Sequence, residues 1–266
     1  EARAFRLHKE SGRMSRAAKA LAVPAILLVA AEIATRLSGT TSLAVAPPSS
    51  VAVALLAALG DGTMLAATRD TLACAFGGLF VGGAIGLVLG LLFGLVRPLD
   101  RLMELTVEAI RPIPSVALIP IGMLSLGFGY SFEIAIVAFA CVWTMLIMTR
   151  AAIGGIEPRL LEVSRALRLS TLQRIFKIVI PAALPRIIVA FRLAAGFALV
   201  VAVTVEIAAN PQGMGYGILI AQQSLSPQLM LAYLLWIGLV GYGLNVLLSL
   251  AQQKLLGRAA MVEARQ

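Results

Sequence analysis

Few side chains in this 266-residue sequence could do covalent or metal chemistry, and those few are isolated. The single histidine, His8, lies in an N-terminal tail, and the two cysteines, Cys74 and Cys141, stand alone inside apolar runs. A zinc centre needs His and Cys at short repeated spacings, and a disulfide framework needs paired cysteines in compact loops. Neither pattern is present, and no His, Cys or carboxylate pair is spaced as a nucleophile beside its base. None of Lys9, Lys19, Lys177 or Lys254 stands in a G-x-x-x-x-G-K-[ST] context, so the chain has no phosphate-binding loop of its own. What remains is charge suited to positioning and recognition: Glu162 in "EVSRALRLSTLQRIFKIVIPAALPRI", Glu206 at the close of one apolar run and Glu133 at the start of another.

The elements that position these groups are membrane helices. Sixty per cent of the residues are hydrophobic, 13% are charged and the mean hydropathy is +0.95, whereas a soluble domain is nearer one quarter charged. Crossing roughly 30 Å of hydrocarbon takes about 20 apolar residues as a helix. Six spans are expected, at about 17–37, 69–96, 102–127, 132–152, 185–208 and 229–253, after a cytoplasmic tail over 1–16, giving an all-α integral membrane domain over 17–266. Glu32 and Arg36 stand where a signal-peptide cleavage site would need small residues, so the first run is expected to stay in the chain. "PPSSVAVALLAALG" reads as an external loop carrying a short interfacial helix. With this arrangement the three external connections, 38–68, 126–132 and 208–228, contain no Lys or Arg. That is the positive-inside asymmetry, and it puts both termini in the cytoplasm. It also accounts for the net charge of +9, because no basic stripe is interleaved with stacking aromatics as nucleic-acid binding would require.

Three local patterns stand out. Gly78, Gly82, Gly86, Gly90 and Gly94 recur every four residues and form one helical stripe, a packing face on which another helix can approach closely or slide. Arg101, Glu104, Glu108 and Arg111 share a face opposite Leu102, Leu105, Val107 and Ile110, which reads as an interfacial entry helix. "RPIPSVALIP" follows, where Pro112, Pro114 and Ser115 mark either a bent helix start or the lining of a gate. Glu206 is either a solvated helix-end charge or a group facing a cavity, and Glu133 is a carboxylate favoured at a helix N-terminus. Between the fourth and fifth spans, Pro158 starts one short helix, and Ser170 with Gln173 has the form of a capping box for a second, expected to end before Pro181. The two-helix knob, with Arg165 and Arg168 near its tip, suits insertion into a partner's groove, or forms a self-contained cap on the lipid headgroups.

"EVSRALRLS…IVIPAALP" resembles the cytoplasmic signature of permease subunits of bacterial ABC importers: Glu-Ala-Ala, a Gly six residues after the Glu, then Ile-x-Leu-Pro. Glu162, Ile178 and Pro181 match; Val163 and Ser164 replace the alanines, Arg168 replaces the glycine and Ile180 the leucine. "RPIPSVALIPIGMLSLGFG", "GIEPRLLE" and "EIAANPQGMGYGI" are similar to the nitrate, sulfonate and taurine branch, and the likeness runs from about residue 47 to 255. The resemblance implies a type I ABC importer permease fold with a coupling-helix loop over 153–184. It implies a bacterial inner-membrane location, two ATPase subunits, a second permease copy as a homodimer, and a periplasmic or lipid-anchored binding protein. It further implies that this chain binds no cofactor, ATP and Mg being held by the ATPase partner. Its coupling interface would comprise Arg159, Glu162, Arg165, Ala166, Leu167, Arg168, Leu169 and Ser170. The rival expectations are a secondary transporter, which would need ionisable relay groups deep in the spans, and, third, a membrane enzyme.

Overall fold

The computed structural model describes residues 22–23, 25–37 and 45–263, with the side chains of residues 161, 165 and 255–263 outside the description. The tail 1–16 and the start of the first expected span lie outside it. Every described element is helical: α1 (residues 25–37), α2 (Pro48–Gly60), α3 (Thr63–Leu95), α4 (Arg97–Ile110), a 3₁₀ turn (Ser115–Leu118), α5 (Ile119–Leu126) and α6 (Tyr130–Gly154). Then come α7 (Pro158–Ala166), α8 (Thr171–Arg174), a π-helical segment (Ile175–Val179), α9 (Ile180–Ala208), α10 (Gly213–Gln223) and α11 (Pro227–Glu263).

The core is a sheaf of α3, α6 and α9 built on small residues. The glycine stripe of α3 lies against α6. A Cβ at Gly90 would sit 2.7 Å from both the Leu146 carbonyl oxygen and the Thr149 Cβ, and one at Gly94 2.7 Å from Ile153 Cδ1. At Gly82 the obstacle is the backbone of Ala138 itself. Lipid offers no hydrophobic driving force between helices, so close backbone approach supplies the packing energy. On the next seam α9 turns a row of buried alanines, Ala183, Ala190, Ala194, Ala198 and Ala202, toward Val137, Cys141 and Met145 of α6. α2, α10 and α11 make a second apolar cluster around Met64, Met214 and Tyr233.

Four described helices are long and apolar enough to cross a membrane, or five if one bent pair counts as a span. That bent pair, Arg97–Ile110 with Ser115–Leu126, covers most of the span expected at 102–127, and the break falls at the prolines read as a bent helix start or a gate lining. α4 stays amphipathic with only Val107 buried, and the chain turns by 78° into the 3₁₀ turn and α5. The reason is local: Pro112 and Pro114 lack the N–H groups that would continue the ladder. Arg150, near the end of α6, fastens α4 through Asp100 at 2.7 Å and Glu104 at 3.4 Å.

Two further boundaries differ from expectation. The helix begun by Ser170 does not stop before Pro181; it passes through the π segment into α9, which also contains Pro185. Widening the turn just ahead of Pro181 relieves the clash of its ring with the carbonyl four residues back. The connection 208–228, expected as an external loop, folds into α10, whose Gly213, Met214, Gly215 and Ala221 are buried.

Candidate functional site

The exposed elbow between α7 and α8 is set by two capping motifs back to back. At the end of α7 the Leu169 N–H reaches back to the Ser164 carbonyl at 3.1 Å, and Leu167 N–H to Val163 O at 3.0 Å. This is the long bond of a Schellman-type C-cap, which requires a left-handed residue at the position before Leu169. Arg168 occupies it with φ +51°. The signature's glycine thus corresponds to a real conformational demand, and here an arginine meets it. Leu169 alone separates this cap from the next. Ser170 Oγ accepts from the Gln173 N–H at 3.3 Å, while Gln173 Oε1 accepts from the Ser170 N–H at 3.1 Å, a complete capping box.

Around this elbow Arg159, Glu162, Ala166, Leu167, Arg168 and Ser170 are exposed and Leu169 is half-buried, whereas Ser164 faces inward. The side chain of Arg165 lies outside the described residues. Arg159 is 3.8 Å from Glu157, an open surface pair. Leu160, Val163 and Leu167 make an exposed apolar stripe along α7, and Leu172 and Phe176, each 67% exposed, continue it past the turn. Helical spacing groups Leu160, Leu161, Ser164 and Leu167 on one side; the structure leaves Leu160 and Leu167 exposed together with Val163 and buries Ser164.

Pro112 and Pro114 are exposed and Ser115 is half-buried at the 78° bend. Beside them Ile113, Val116 and Ile121 are exposed, and Leu124 is 91% exposed, so this bend presents an uncovered apolar surface.

At the end of the sheaf opposite the elbow lies a buried polar knot. Glu133 and Glu206 are both fully buried; Glu133 does stand in the first turn of α6, as expected, whereas the burial of Glu206 corrects its reading as a solvated helix-end charge. Asn210 Nδ2 donates to Glu133 Oε2 at 2.5 Å, and Asn210 Oδ1 accepts from the Gly129 N–H at 2.9 Å. Glu206 Oε2 accepts from the Gly215 N–H at 2.7 Å, and Thr71 Oγ1 from the Met214 N–H at 2.8 Å. Glu133, Glu206 and Thr71 therefore tie the first turn of α10 and the 210–212 turn to α6, α9 and α3 respectively. Gly213, with φ +83°, and Gly215 lie so close over Glu206 that a Cβ at either would strike its side chain. Thr71 escaped the sequence reading, and Asn210, Gly213 and Gly215 entered it only as part of "EIAANPQGMGYGI", with no role given, because their pairing partners are far away in the chain.

Apolar helices of membrane length around a small-residue sheaf, with an exposed helical elbow at one end and a polar knot at the other, define a polytopic membrane protein. The likeness to known proteins makes the class specific. Residues 82–260 match the family described as binding-protein-dependent transport system inner membrane component, and the chain belongs to it. It is 25% identical over 238 residues to the putative aliphatic sulfonates transport permease protein SsuC of Bacillus subtilis, over 90% of this chain and 86% of that one. It is 28% identical over 182 residues to the nitrate import permease protein NrtB of Synechococcus elongatus, over 67% of this chain and 62% of that one. A chain of the MetNI methionine ABC transporter in an inward-facing conformation superposes with a TM-score of 0.64 at 23% identity, covering 72% of this chain and 95% of that one. A chain of an amino acid ABC transporter solved with histidines also gives 0.64, at 17% identity, covering 75% and 98%. The fold is that of ABC importer permeases. The family is a transport subunit and not an enzyme, and it works with ATPase and binding-protein partners.

Proposed function

We propose that this chain is the pathway-forming permease of an importer for a small anion of the sulfonate, taurine or nitrate class. Two ATPase subunits would grip the α7–α8 elbow, a second copy of the chain would complete the pathway as a homodimer, and a periplasmic or lipid-anchored binding protein would deliver the solute at the end bearing the polar knot. The elbow and both termini are then cytoplasmic, in a bacterial inner membrane, since the connections at the opposite end carry no Lys or Arg. ATP and Mg belong to the partner. The anion class draws its support from the relatives named for sulfonates and nitrate.

The observation that carries the coupling is mechanical. Glu162, Ala166, Leu167 and Arg168 project from an elbow locked by two caps, and α8 runs without a break into α9. A partner that displaces the elbow therefore moves α9 as a rigid body, the geometry alternating access needs. Pro112, Pro114 and Ser115 at the bend are gate candidates, since irregular backbone at membrane depth lines protein or water rather than lipid. The experiment is uptake and ATP hydrolysis by the reconstituted importer carrying Glu162→Ala or Leu167→Asp. Loss of uptake with ATP hydrolysis no longer stimulated by loaded binding protein is expected; normal coupling in both variants sinks the docking role. Uptake driven by an ion gradient without ATP would favour the secondary-transporter reading instead.

A further inference from the structure

Arg192 is a cation held inside a membrane helix. Arg186 marks the elbow end of α9, its Nη1 donating to the carbonyl of Gly155, which caps α6, at 3.0 Å. Arg192 lies six residues further along, about 9 Å deeper at 1.5 Å per residue. It turns toward α11, where Nε donates to Asn245 Oδ1 at 2.9 Å and Nη1 approaches Ser249 Oγ at 3.5 Å. Among the described residues no carboxylate pairs with it. Ionisable groups at such depth are costly, and where they persist they mark ligand or ion pathways.

The guanidinium opens onto a groove between α9 and α11 of about 410 Å³, within the ~300–1,000 Å³ usual for small-ligand pockets. Gly196, Val200 and Thr204 of α9 face Gly238 and Gly241 of α11 across it. Gly196 and Gly238 are not packing residues, since a Cβ at either would meet nothing within 4 Å. Their smallness widens the groove instead of closing a helix seam. Asn245 and Ser249 use two of the five guanidinium donors, leaving the others for the paired hydrogen bonds that acidic oxygens accept from arginine. One fixed positive fork at the end of an apolar trough is complementary to a small amphipathic anion.

We infer that Arg192, positioned by Asn245 and Ser249, binds the acidic head group of the transported solute, whose short apolar tail lies along the α9–α11 groove. This rests on the reading of the chain as an anion permease and supplies the residue that recognises the charge.

The test places a thiol beside the fork. In the permease–ATPase complex in phosphatidylcholine nanodiscs, Gly196→Cys sits one turn from Arg192 and its Cβ has room. The anionic reagent 2-sulfonatoethyl methanethiosulfonate should modify it about tenfold faster than it modifies the Arg192→Gln, Gly196→Cys double variant, a modest size for one nearby charge in a poorly screened site. The cationic trimethylammonium analogue should show the reverse order, and Arg192→Lys should fall between, which covers failure of the glutamine variant to assemble. Ethanesulfonate should slow labelling in the parent and in Arg192→Lys, where a cation remains, and leave it unchanged in Arg192→Gln. Equal rates with and without the charge, or no protection by ethanesulfonate, overturn the site. Protection by added phosphatidylglycerol but not by ethanesulfonate makes it a lipid site and overturns it too. Uptake by the full importer separates the two readings. Anion uptake without ethanesulfonate protection sinks the site alone, while protection without uptake of any sulfonate or nitrate sinks both the anion-permease reading and the claim that the bound anion is cargo.

Discussion

Replacing Arg168 by glycine should stabilise the elbow, and the size of the gain follows from its backbone. Arg168 holds φ +51° because the Leu169 N–H must reach the Ser164 carbonyl. A side chain with a β-carbon costs about 1–2 kcal/mol in the left-handed region. Glycine removes that cost but loses about 0.5–1 kcal/mol more backbone entropy on folding. The net is a stabilisation of about 0.5–1 kcal/mol, or a two- to fivefold change in local opening at ~1.4 kcal/mol per tenfold. Hydrogen exchange of the Leu169 amide in the assembled complex reads this opening directly. Exchange should slow about two- to fivefold in Arg168→Gly and stay at or above the parent rate in Arg168→Ala, which keeps the β-carbon. Equal slowing in both variants would assign the effect to the guanidinium, and faster exchange in the glycine variant would refute the strain argument. The pair also separates shape from charge: if docking uses the guanidinium, both variants lose coupling although only one gains stability.

Other expectations follow from the same geometry. Gly82→Ala drives a β-carbon into the Ala138 backbone, which no rotamer change can relieve; overpacking of this kind costs about 1–3 kcal/mol. Gly83→Ala, whose nearest neighbour would be 3.8 Å away, should be neutral or slightly stabilising, so equal melting temperatures for the two variants would undo the packing account. Asn210→Ala strands Glu133 Oε2 and the Gly129 N–H, at about 1–3 kcal/mol for each buried unpaired group; a thermal midpoint within about 1 °C of the parent, below the roughly 2–4 °C that even 1 kcal/mol produces, would show the knot to be ornamental. At the start of α3, hydrogen bonds from the Thr63 hydroxyl and N–H hold the Asp61 carboxyl below the ordinary aspartate range. A depressed folded-state pKa gives stability that is present above the unfolded value and lost as pH falls through the folded one. Amide protection in the first turn of α3 should thus drop below about pH 4 and should be low and pH-independent in Asp61→Ala; protection unchanged by acid would count against this cap.

What could be read from the residues was whatever is local or periodic. The Ser170–Gln173 box needs only a spacing of three, and the glycines from Gly78 to Gly94 announce a packing face by repetition. Arg168 could be flagged as standing at a glycine position, but its left-handed backbone became visible only with the Leu169–Ser164 bond. Pro181 was read as a stop because proline breaks soluble helices. The helix continues through it, and through Pro185, since lipid offers freed carbonyls no partner outside the helix. The burial of Glu133 and Glu206 could not be foreseen from their places at span ends, because the residues that cover and bond them, Thr71, Asn210 and Gly215, come from other stretches of chain. α10 was missed for the same reason: a connection rich in glycine and polar residues folds inward only where other helices leave it a polar floor.

Taken as one mechanical unit, α8, the π segment and α9 run from Thr171 to Ala208, about 55 Å at 1.5 Å per residue. The capping box lies at one end, Arg192 partway along, and Glu206 near the other end, where it bonds the first turn of α10. Small buried residues line the seam between this rod and α6, a contact that resists tilt less than interlocked large side chains would. A displacement imposed on the elbow therefore reaches the Arg192 groove and the α10 knot through one helix, and the seam permits it. The ladder is already loosened over the stretch from the π segment to Pro185, where Pro181 and Pro185 lack an N–H. Force arriving at the elbow either bends the rod there or moves it whole, and the seated capping box on one side with the close-packed alanines on the other favours the second.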